Sequence, residues 1–495
     1  MKHTFIGVIL ALSAAIFGAW VANTYISRLP DHRGLFLVSV ADTTSVPLAS
    51  PPRHTVVIVI DGLRRDGAQR LAASQLIAEH GQCFTTDVGR LSVSRPVYAE
   101  LSTGLEQDRT GSRNNDETSP LHVASLWETA RVAGRTVDAV SELPWWRELF
   151  PRGFDRYEMP KRDENFFART LTADLTLIHP IYVDETAHAF GGVSAEYTAA
   201  VDRVDAEVSP FLRDIDWQRD LVVFTADHGH RARGGHGAPA DDIEFVLTCM
   251  AGRGVVHDTA RGTIETKTLA PLLSVLLGLP FPSQMRAGDD GLDAMWKTVR
   301  ELPSDYLADR QRAVERFREA NARAVKGWGE ASGSWRAFYA TRHARQTLEW
   351  MGAALVAFSV LAWRKRAGAR VDGRWLLAVL LTMVGLEIAF RGSFDFNAIN
   401  QRNPFLVGTI AAAGLTTLLG AYAQRFLSRA SLREDQTLLV AFLVWLNLAH
   451  LLIYGWPIGF PLPNPVPFFL PFVSGLFLMV GGMFLALLLL FRRRP

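Results

Sequence analysis

Asp61-Gly62, Ser94-Arg95-Pro96, Asp184-Glu-Thr-Ala-His188, Asp227-His228-Gly229 and His236-Gly237 are five short segments carrying the oxygen and nitrogen donors that Zn²⁺ takes in hydrolytic sites. Each carboxylate or imidazole is close to a glycine or stands at the end of an apolar run. Glycine lets backbone come close to a metal or a phosphate. Ser94 lies just before Pro96, and proline is favoured in the first turn of a helix. A hydroxyl at a helix N-terminus faces free backbone N–H groups, where an anion or alkoxide is stabilised. Coordination to a divalent metal would lower the pKa of that hydroxyl and make it a usable nucleophile. The plainer reading of Ser94 is an ordinary capping serine, and Ser92 is a competing hydroxyl. Asp184 and His188 share a helical face or bracket a turn, and either arrangement can hold one ion. His230 is a further imidazole nearby, expected behind the ligands or exposed.

Strands must bring these segments together. Thr55–Ile60 is a continuous apolar, β-branched run, as in a strand buried on both faces of a parallel sheet, and Asp61 sits at its carboxyl end. Leu221–Thr225 is a second such strand, just before Asp227-His228. Leu175–Val183, interrupted by Pro180, is a third, with Asp184 at its end. Helical stretches intervene at Arg64–Glu79, Pro96–Thr103, Leu126–Ala133, Ser194–Ile215 and Leu269–Leu277. Alternating strands and helices predict an α/β sandwich, with functional residues at strand carboxyl ends.

The chain has 495 residues and a net charge of only +2, which gives no bulk argument for nucleic acid. Cys83 and Cys249 make no disulfide framework and no metal spacing, and Cys249 in Phe245–Met250 reads as a buried strand thiol. Apolar residues are concentrated in membrane-length runs. Phe5–Val21 reads as an uncleaved anchor, with signal cleavage as the alternative. Residues 347–363, 375–390, 404–423, 437–455 and 467–491 are each long enough to span a bilayer. The basic segments Arg364–Arg374, Arg425–Arg433 and Arg492–Arg494 alternate with loops poor in basic residues. The positive-inside rule then puts both termini in the cytoplasm and residues 25–345 outside. The absence of an Asn-x-Ser/Thr acceptor site in so large an outer domain suggests a bacterial inner membrane. Glu387, Asn447 and His450 mark a lipid headgroup path or form interhelical hydrogen bonds.

The expected organisation is an anchor at 1–24, a linker at 25–53, an extracytoplasmic metal-dependent domain at 54–288, a helical connector at 289–345 and a five-helix transmembrane domain at 346–495.

Asp61-Gly-Leu-Arg-Arg-Asp66, Ser94-Arg-Pro96, Asp184-x-x-x-His188, Asp227-His-Gly229 and His236-Gly237 together resemble the alkaline phosphatase superfamily, in its type I phosphodiesterase and nucleotide pyrophosphatase branch. Within it the chain looks most like the GPI ethanolamine phosphate transferases, and Leu277-Gly-Leu-Pro-Phe-Pro282 resembles the segment closing their catalytic domain. The resemblance implies an alkaline-phosphatase-like sandwich with a mostly parallel sheet. It implies two divalent metal ions, Zn²⁺ or Mn²⁺, one held by Asp61, Ser94, Asp227 and His228, the other by Asp184, His188 and His236. Ser94 would be the nucleophile and would form a covalent phosphoserine. The implied substrates are a phospholipid donor and a lipid or glycan acceptor at the membrane, with phosphoethanolamine as the type of group moved. A phosphodiesterase using water is the alternative, and a non-catalytic membrane binding protein with a degenerate domain is the more distant one. Three departures stand out. Val183 and Ala187 replace the family's proline and glycine around Asp184. Val97-Tyr98 replaces Gly-His after Ser-Arg-Pro. Nucleotide pyrophosphatases use an asparagine where this chain has Val97, so their phosphate-stabilising amide is expected to be missing, with Arg95 either compensating or tied in an ion pair.

Overall fold

Thr55–Ile60 (β1) is buried along its whole length, and its side chains alternate between two cores. Val57 and Val59 pack on one side of the sheet, Val56, Ile58 and Ile60 on the other. Leu221–Ala226 divides its residues in the same way. A strand covered on both faces has no use for polar alternation, which is why these runs are apolar throughout. Each such side chain contributes roughly 1.5–3 kcal/mol on burial. The computed structural model describes residues 2–27, most of 51–279, Val299, parts of 374–386, and 402–427, 431–454 and 466–490.

The remaining strands are β2 (Gly81–Asp87), β3 (Val137–Ser141), β4 (Arg156–Glu158), β5 (Leu175–His179), β6 (Leu221–Ala226), β7 (Phe245–Gly252) and β8 (Thr263–Glu265). They form one sheet in the order β4-β3-β5-β1-β6-β7-β2-β8. All neighbours pair in parallel except β7, which runs antiparallel to both β6 and β2. This is the mostly parallel α/β sheet expected. β5, β1 and β6 lie side by side, so their carboxyl ends share one edge.

Several local expectations are corrected. Pro180 ends β5 instead of interrupting a longer strand, because it has no N–H for the ladder. Asp184 consequently sits in the first turn of a helix, Tyr182–Phe190. The helical stretch Arg64–Glu79 is two helices, Arg65–Ala68 and Ala72–His80.

Cys83 and Cys249 are also not thiols. They face each other in the register of β2 and β7 and form a disulfide. The bridge closes a sequence separation of 166 residues. By loop-closure entropy such a bridge contributes up to about 5 kcal/mol. We expect reduction to lower the unfolding free energy by about 2–5 kcal/mol, seen as an earlier denaturant midpoint. Alkylation of unfolded, unreduced protein should label neither cysteine, and labelling of both would contradict the bridge.

The helical part of the chain forms a second unit. Among the described residues, two helices contain segments long and apolar enough to cross a membrane, Phe5–Asn23 and Val473–Leu490. Helices Lys2–Ser27 and Val466–Leu490 pack closely, with Gly18 against Gly475 and Ala11 and Ala15 against Gly482. Small residues let membrane helices approach in this way. Helices Arg402–Leu427 and Leu432–Tyr454 cover the runs 404–423 and most of 437–455. Asn447 Nδ2 donates to Leu443 O (2.8 Å), and Ser474 Oγ donates to Asn447 Oδ1 (3.2 Å). Asn447 therefore makes the interhelical bond that was one of its two readings. The run 347–363, Glu387, the side chain of His450 and all of 289–345 except Val299 lie outside the described residues.

Candidate active site

Three adjacent parallel strands deliver most of the candidate groups. Asp61 follows β1, Asp227 and His228 follow β6, and Asp184 opens the helix after β5. Gly62 makes this convergence possible. It has a positive φ of 71°, and a Cβ there would stand 2.7 Å from Asp184 Cα. Only glycine takes both that conformation and that approach at no steric cost. Ser94 arrives from elsewhere, as the first residue of helix Ser94–Thr103, whose ten residues are all buried. Its N-cap is Val93, and no side chain caps the helix, so Ser94 is not a capping serine.

Around Ser94 the groups are close. Its Oγ lies 3.3 Å from His228 Nε2. That nitrogen is 3.2 Å from Asp227 Oδ2 and 3.5 Å from Asp61 Oδ1. Asp227 Oδ1 accepts from the backbone N–H of Gly62 (3.0 Å) and of His228 (2.9 Å). The Ser92 hydroxyl donates to Gly89 O, and its carbonyl accepts from His236 Nδ1 at 2.7 Å.

The second group forms across a helix face. Asp184 Oδ2 and His188 Nε2, one helical turn apart, are separated by 3.4 Å. His188 Nε2 and His236 Nε2 are 3.1 Å apart. The His228 and His236 rings stack at 3.7 Å, so the two groups adjoin. Asp184 also belongs with Asp61 and His228, with donor atoms all within 4.8 Å of one another.

These residues fit divalent metal ions. His228 Nδ1 faces the Gly229 carbonyl (3.1 Å) and His236 Nδ1 faces that of Ser92, and a carbonyl can only accept. Both protons are thereby placed on Nδ1, leaving both Nε2 lone pairs turned toward carboxylate oxygens or another imidazole nitrogen. Lone pairs do not gather without a cation. Asp61 Oδ1 and Asp227 Oδ2 are buried with no hydrogen-bond partner. Burial and the neighbouring Asp61 push the Asp227 carboxyl well above its usual range. Burial pushes the His228 and His236 imidazoles down, which keeps them neutral and able to ligate. The 3.1 Å and 3.4 Å separations match the edge, about 3.3 Å, of a tetrahedron with zinc bonds near 2.0 Å.

Four residues outside the expected ligand set complete the site. The Tyr98 hydroxyl donates to Asp61 Oδ2, and His179 Nε2 lies 2.8 Å from that hydroxyl and 3.2 Å from Oδ2. His179 Nδ1 is 3.0 Å from Ser141 Oγ. Burial raises the Tyr98 hydroxyl well above its ordinary pKa, so it stays a donor. Asn115 Oδ1 accepts from the Arg95 backbone N–H (3.0 Å), and its Nδ2 donates to Ser94 Oγ (3.3 Å). Val97 offers no amide, and Asn115 places one beside Ser94 instead. The amide comes from a different segment than position 97. Arg95 takes the structural alternative: it is buried in an ion pair with Glu148, its guanidinium 4.9 Å from the Trp145 ring centre. His230 is buried against Asp184, not exposed.

Tyr98→Phe should keep the stacking on Trp146 (4.2 Å between ring centres) while removing the donor to Asp61. We expect a roughly 10–100-fold loss of metal affinity, measured by chelator competition. An unchanged affinity would show that the hydroxyl does not orient Asp61.

No protein-family profile matches the chain. Curated proteins do. The human GPI ethanolamine phosphate transferase 1 is 21% identical over 327 residues, covering 53% of this chain and 34% of that protein. The Gibberella zeae GPI ethanolamine phosphate transferase 1 is 24% identical over 373 residues, covering 60% of this chain and 38% of that protein. The human GPI ethanolamine phosphate transferase 3 catalytic subunit is 23% identical over 276 residues, covering 48% and 25%. The chain is similar in sequence to the GPI ethanolamine phosphate transferases. It spans only about a third of the length of these GPI ethanolamine phosphate transferases. Among solved structures, murine ectonucleotide pyrophosphatase/phosphodiesterase 5, in an inactive form with AMP, aligns with a TM-score of 0.42 and 13% identity, covering 49% of this chain and 99% of that one. An alkaline phosphatase superfamily protein from Vibrio parahaemolyticus aligns with a TM-score of 0.40 and 12% identity, covering 54% and 76%. The resemblance drawn from the five motif segments and the curated GPI ethanolamine phosphate transferases agree.

Proposed function

We propose that the chain is a membrane-bound, two-metal phospho-alcohol transferase that moves a phosphoethanolamine-like group between lipid-linked substrates. The observation that carries this is the placement of Ser94 Oγ, 3.3 Å from both His228 Nε2 and Asn115 Nδ2, beside two buried carboxylates with unpartnered oxygens. Asp61, Ser94, Asp227 and His228 would hold one ion, Asp184, His188 and His236 the other. Zn²⁺ suits this nitrogen-and-carboxylate set best, with Mn²⁺ as the alternative. When bound, the ions supply charge stabilisation for the attacking and leaving oxygens of an in-line displacement.

Ser94 Oγ attacks phosphorus of the donor, and the bond from phosphorus to the lipid alcohol breaks, leaving a phosphoserine diester. An acceptor hydroxyl then attacks the same phosphorus and the bond to Ser94 breaks. Asn115 Nδ2 is placed to donate to a phosphoryl oxygen beside Ser94, where charge develops. Tyr98 and His179 hold Asp61 in orientation.

Two other features support an extracytoplasmic site: the arginine pattern favours the sheet domain outside, and a Cys83–Cys249 disulfide suits an oxidising compartment. Both termini would then be cytoplasmic in a multi-pass inner-membrane protein. A phosphodiesterase shares the first half-reaction and differs only in using water. Lipid mass spectra of cells with and without the gene distinguish the two. A transferase yields an acceptor carrying the headgroup phosphate, a hydrolase yields free headgroup phosphate with no adduct, and unchanged spectra would overturn both.

A further inference from the structure

His230 is the imidazole that the motif segments leave unused, and it lies inside the candidate centre. It is fully buried, its Nε2 2.6 Å from Asp184 Oδ1. Its ring meets those of His188, His228 and His236 edge-on at 4.9, 5.6 and 5.1 Å. Two features build its place. Arg64 Nη1 donates to the His230 carbonyl at 2.5 Å while Asp66 grips the other guanidinium nitrogens at 3.0 Å each. A Cβ at Gly192 would stand 2.8 Å from His230 Cβ, so a glycine there leaves the ring its room.

We propose that His230 is a positioning residue that donates from Nε2 to Asp184 Oδ1 and so fixes the carboxylate which, with His188 and His236, would form the second ion site. The proposal rests on the two-metal reading above. Distance separates this role from that of a fourth ligand. Two ligand atoms on one tetrahedral zinc, each about 2.0 Å from it, stand about 3.3 Å apart. Within Asp184, His188 and His236 the three closest separations are 3.1, 3.4 and 3.7 Å, near or somewhat beyond that edge, whereas 2.6 Å between His230 and Asp184 falls well inside it and is the length of a strong hydrogen bond. Nδ1 of His230 is buried without a partner, so the neutral ring uses its one proton best on Nε2. The chemistry agrees. Four protein ligands close a zinc site, while three leave a position for a substrate oxygen. Orienting partners behind the ligands are worth roughly 10–100-fold in affinity or activity.

The test uses the full-length chain in detergent, with Zn²⁺ stoichiometry and affinity read by chelator competition and the ligand field read from Co²⁺ absorption. His230→Leu should weaken one of two bound ions about 10–100-fold and leave the other unchanged. His230→Gln, whose amide N–H reaches to where Nε2 stood, should bind both ions nearly as wild type does, with an unaltered Co²⁺ spectrum. Should leucine disrupt folding, His230→Asn, polar but too short to reach, takes its place with the same expected loss. Wild-type affinity in both the leucine and asparagine variants would overturn the role. A glutamine variant as weak as leucine, with a changed Co²⁺ spectrum, would overturn it in favour of direct ligation. A wild-type chain that binds no ion would overturn the two-metal reading itself, and this role with it.

Discussion

Ser94→Ala should reduce headgroup transfer by about 10⁴–10⁶-fold, the scale seen when an enzyme loses its nucleophile. The change is small in volume, and the serine side chain caps no helix, so the fold should be retained. Asp61, Asp227 and His228 would still be present to bind the first ion, so metal content should fall far less than activity. Two readouts make the result specific. Intact-mass spectra of wild-type protein trapped with donor and no acceptor should show an added phospho-alcohol that the variant lacks. The variant should also fail to release the lipid alcohol, because the first displacement is lost. A variant that modifies lipid at the wild-type rate would remove Ser94 from the mechanism, whatever the metal site does.

Stripping divalent metal should abolish turnover and destabilise the sheet domain together, and Zn²⁺ should restore both. The cause is electrostatic. Asp61, Asp184 and Asp227 converge in a site where Asp61 and Asp227 are at most 2% exposed. Donor oxygens of Asp61 and Asp184 lie within 4.8 Å of each other, and like charges that close repel by several kcal/mol, on the order of 3–4 or more, at an effective dielectric of about 20. An ion present at 1,000 times its dissociation constant contributes about 4 kcal/mol of stability, which shifts a midpoint by roughly 10 °C for a domain of this size. Acid should act through the same site. The Asp227 carboxyl, raised by burial and by Asp61, takes up a proton above the usual carboxylate range in the metal-free state. Falling pH therefore weakens ion binding through protonation of Asp227, while burial opposes protonation of His228 and His236. Equal thermal midpoints with and without chelator would contradict a metal site of this affinity.

Much of this was legible in the chain. Thr55–Ile60 and Leu221–Ala226 announce doubly covered strands because every residue in them is apolar or β-branched, and a buried parallel strand tolerates little else. The carboxylates and imidazoles that end such strands are conspicuous for the same reason. The start of helix Tyr182–Phe190 was not legible, since the preceding apolar run extends through Pro180 and reads as one strand, although a helical face for Asp184 and His188 was one of two readings. Val183 and Ala187 then pack in the core, on the helix face adjoining the one that carries Asp184 and His188.

By itself the sequence determined the two doubly covered strands that lead to Asp61 and Asp227, the apolar helix at each end of the described chain, and the types of donor that meet at the sheet edge. Only the tertiary structure decided which further groups join them. Tyr98, Asn115 and His179 stand in segments with no spacing that marks them, and His230 was legible only as an imidazole near Asp227; the packed fold brings all four to the site. The Cys83–Cys249 bridge depends likewise on the antiparallel register of β2 and β7, across 166 residues of chain. Local propensity acts over a few residues, whereas these contacts are set by which strands pair and in which register, and that choice belongs to the packed core as a whole.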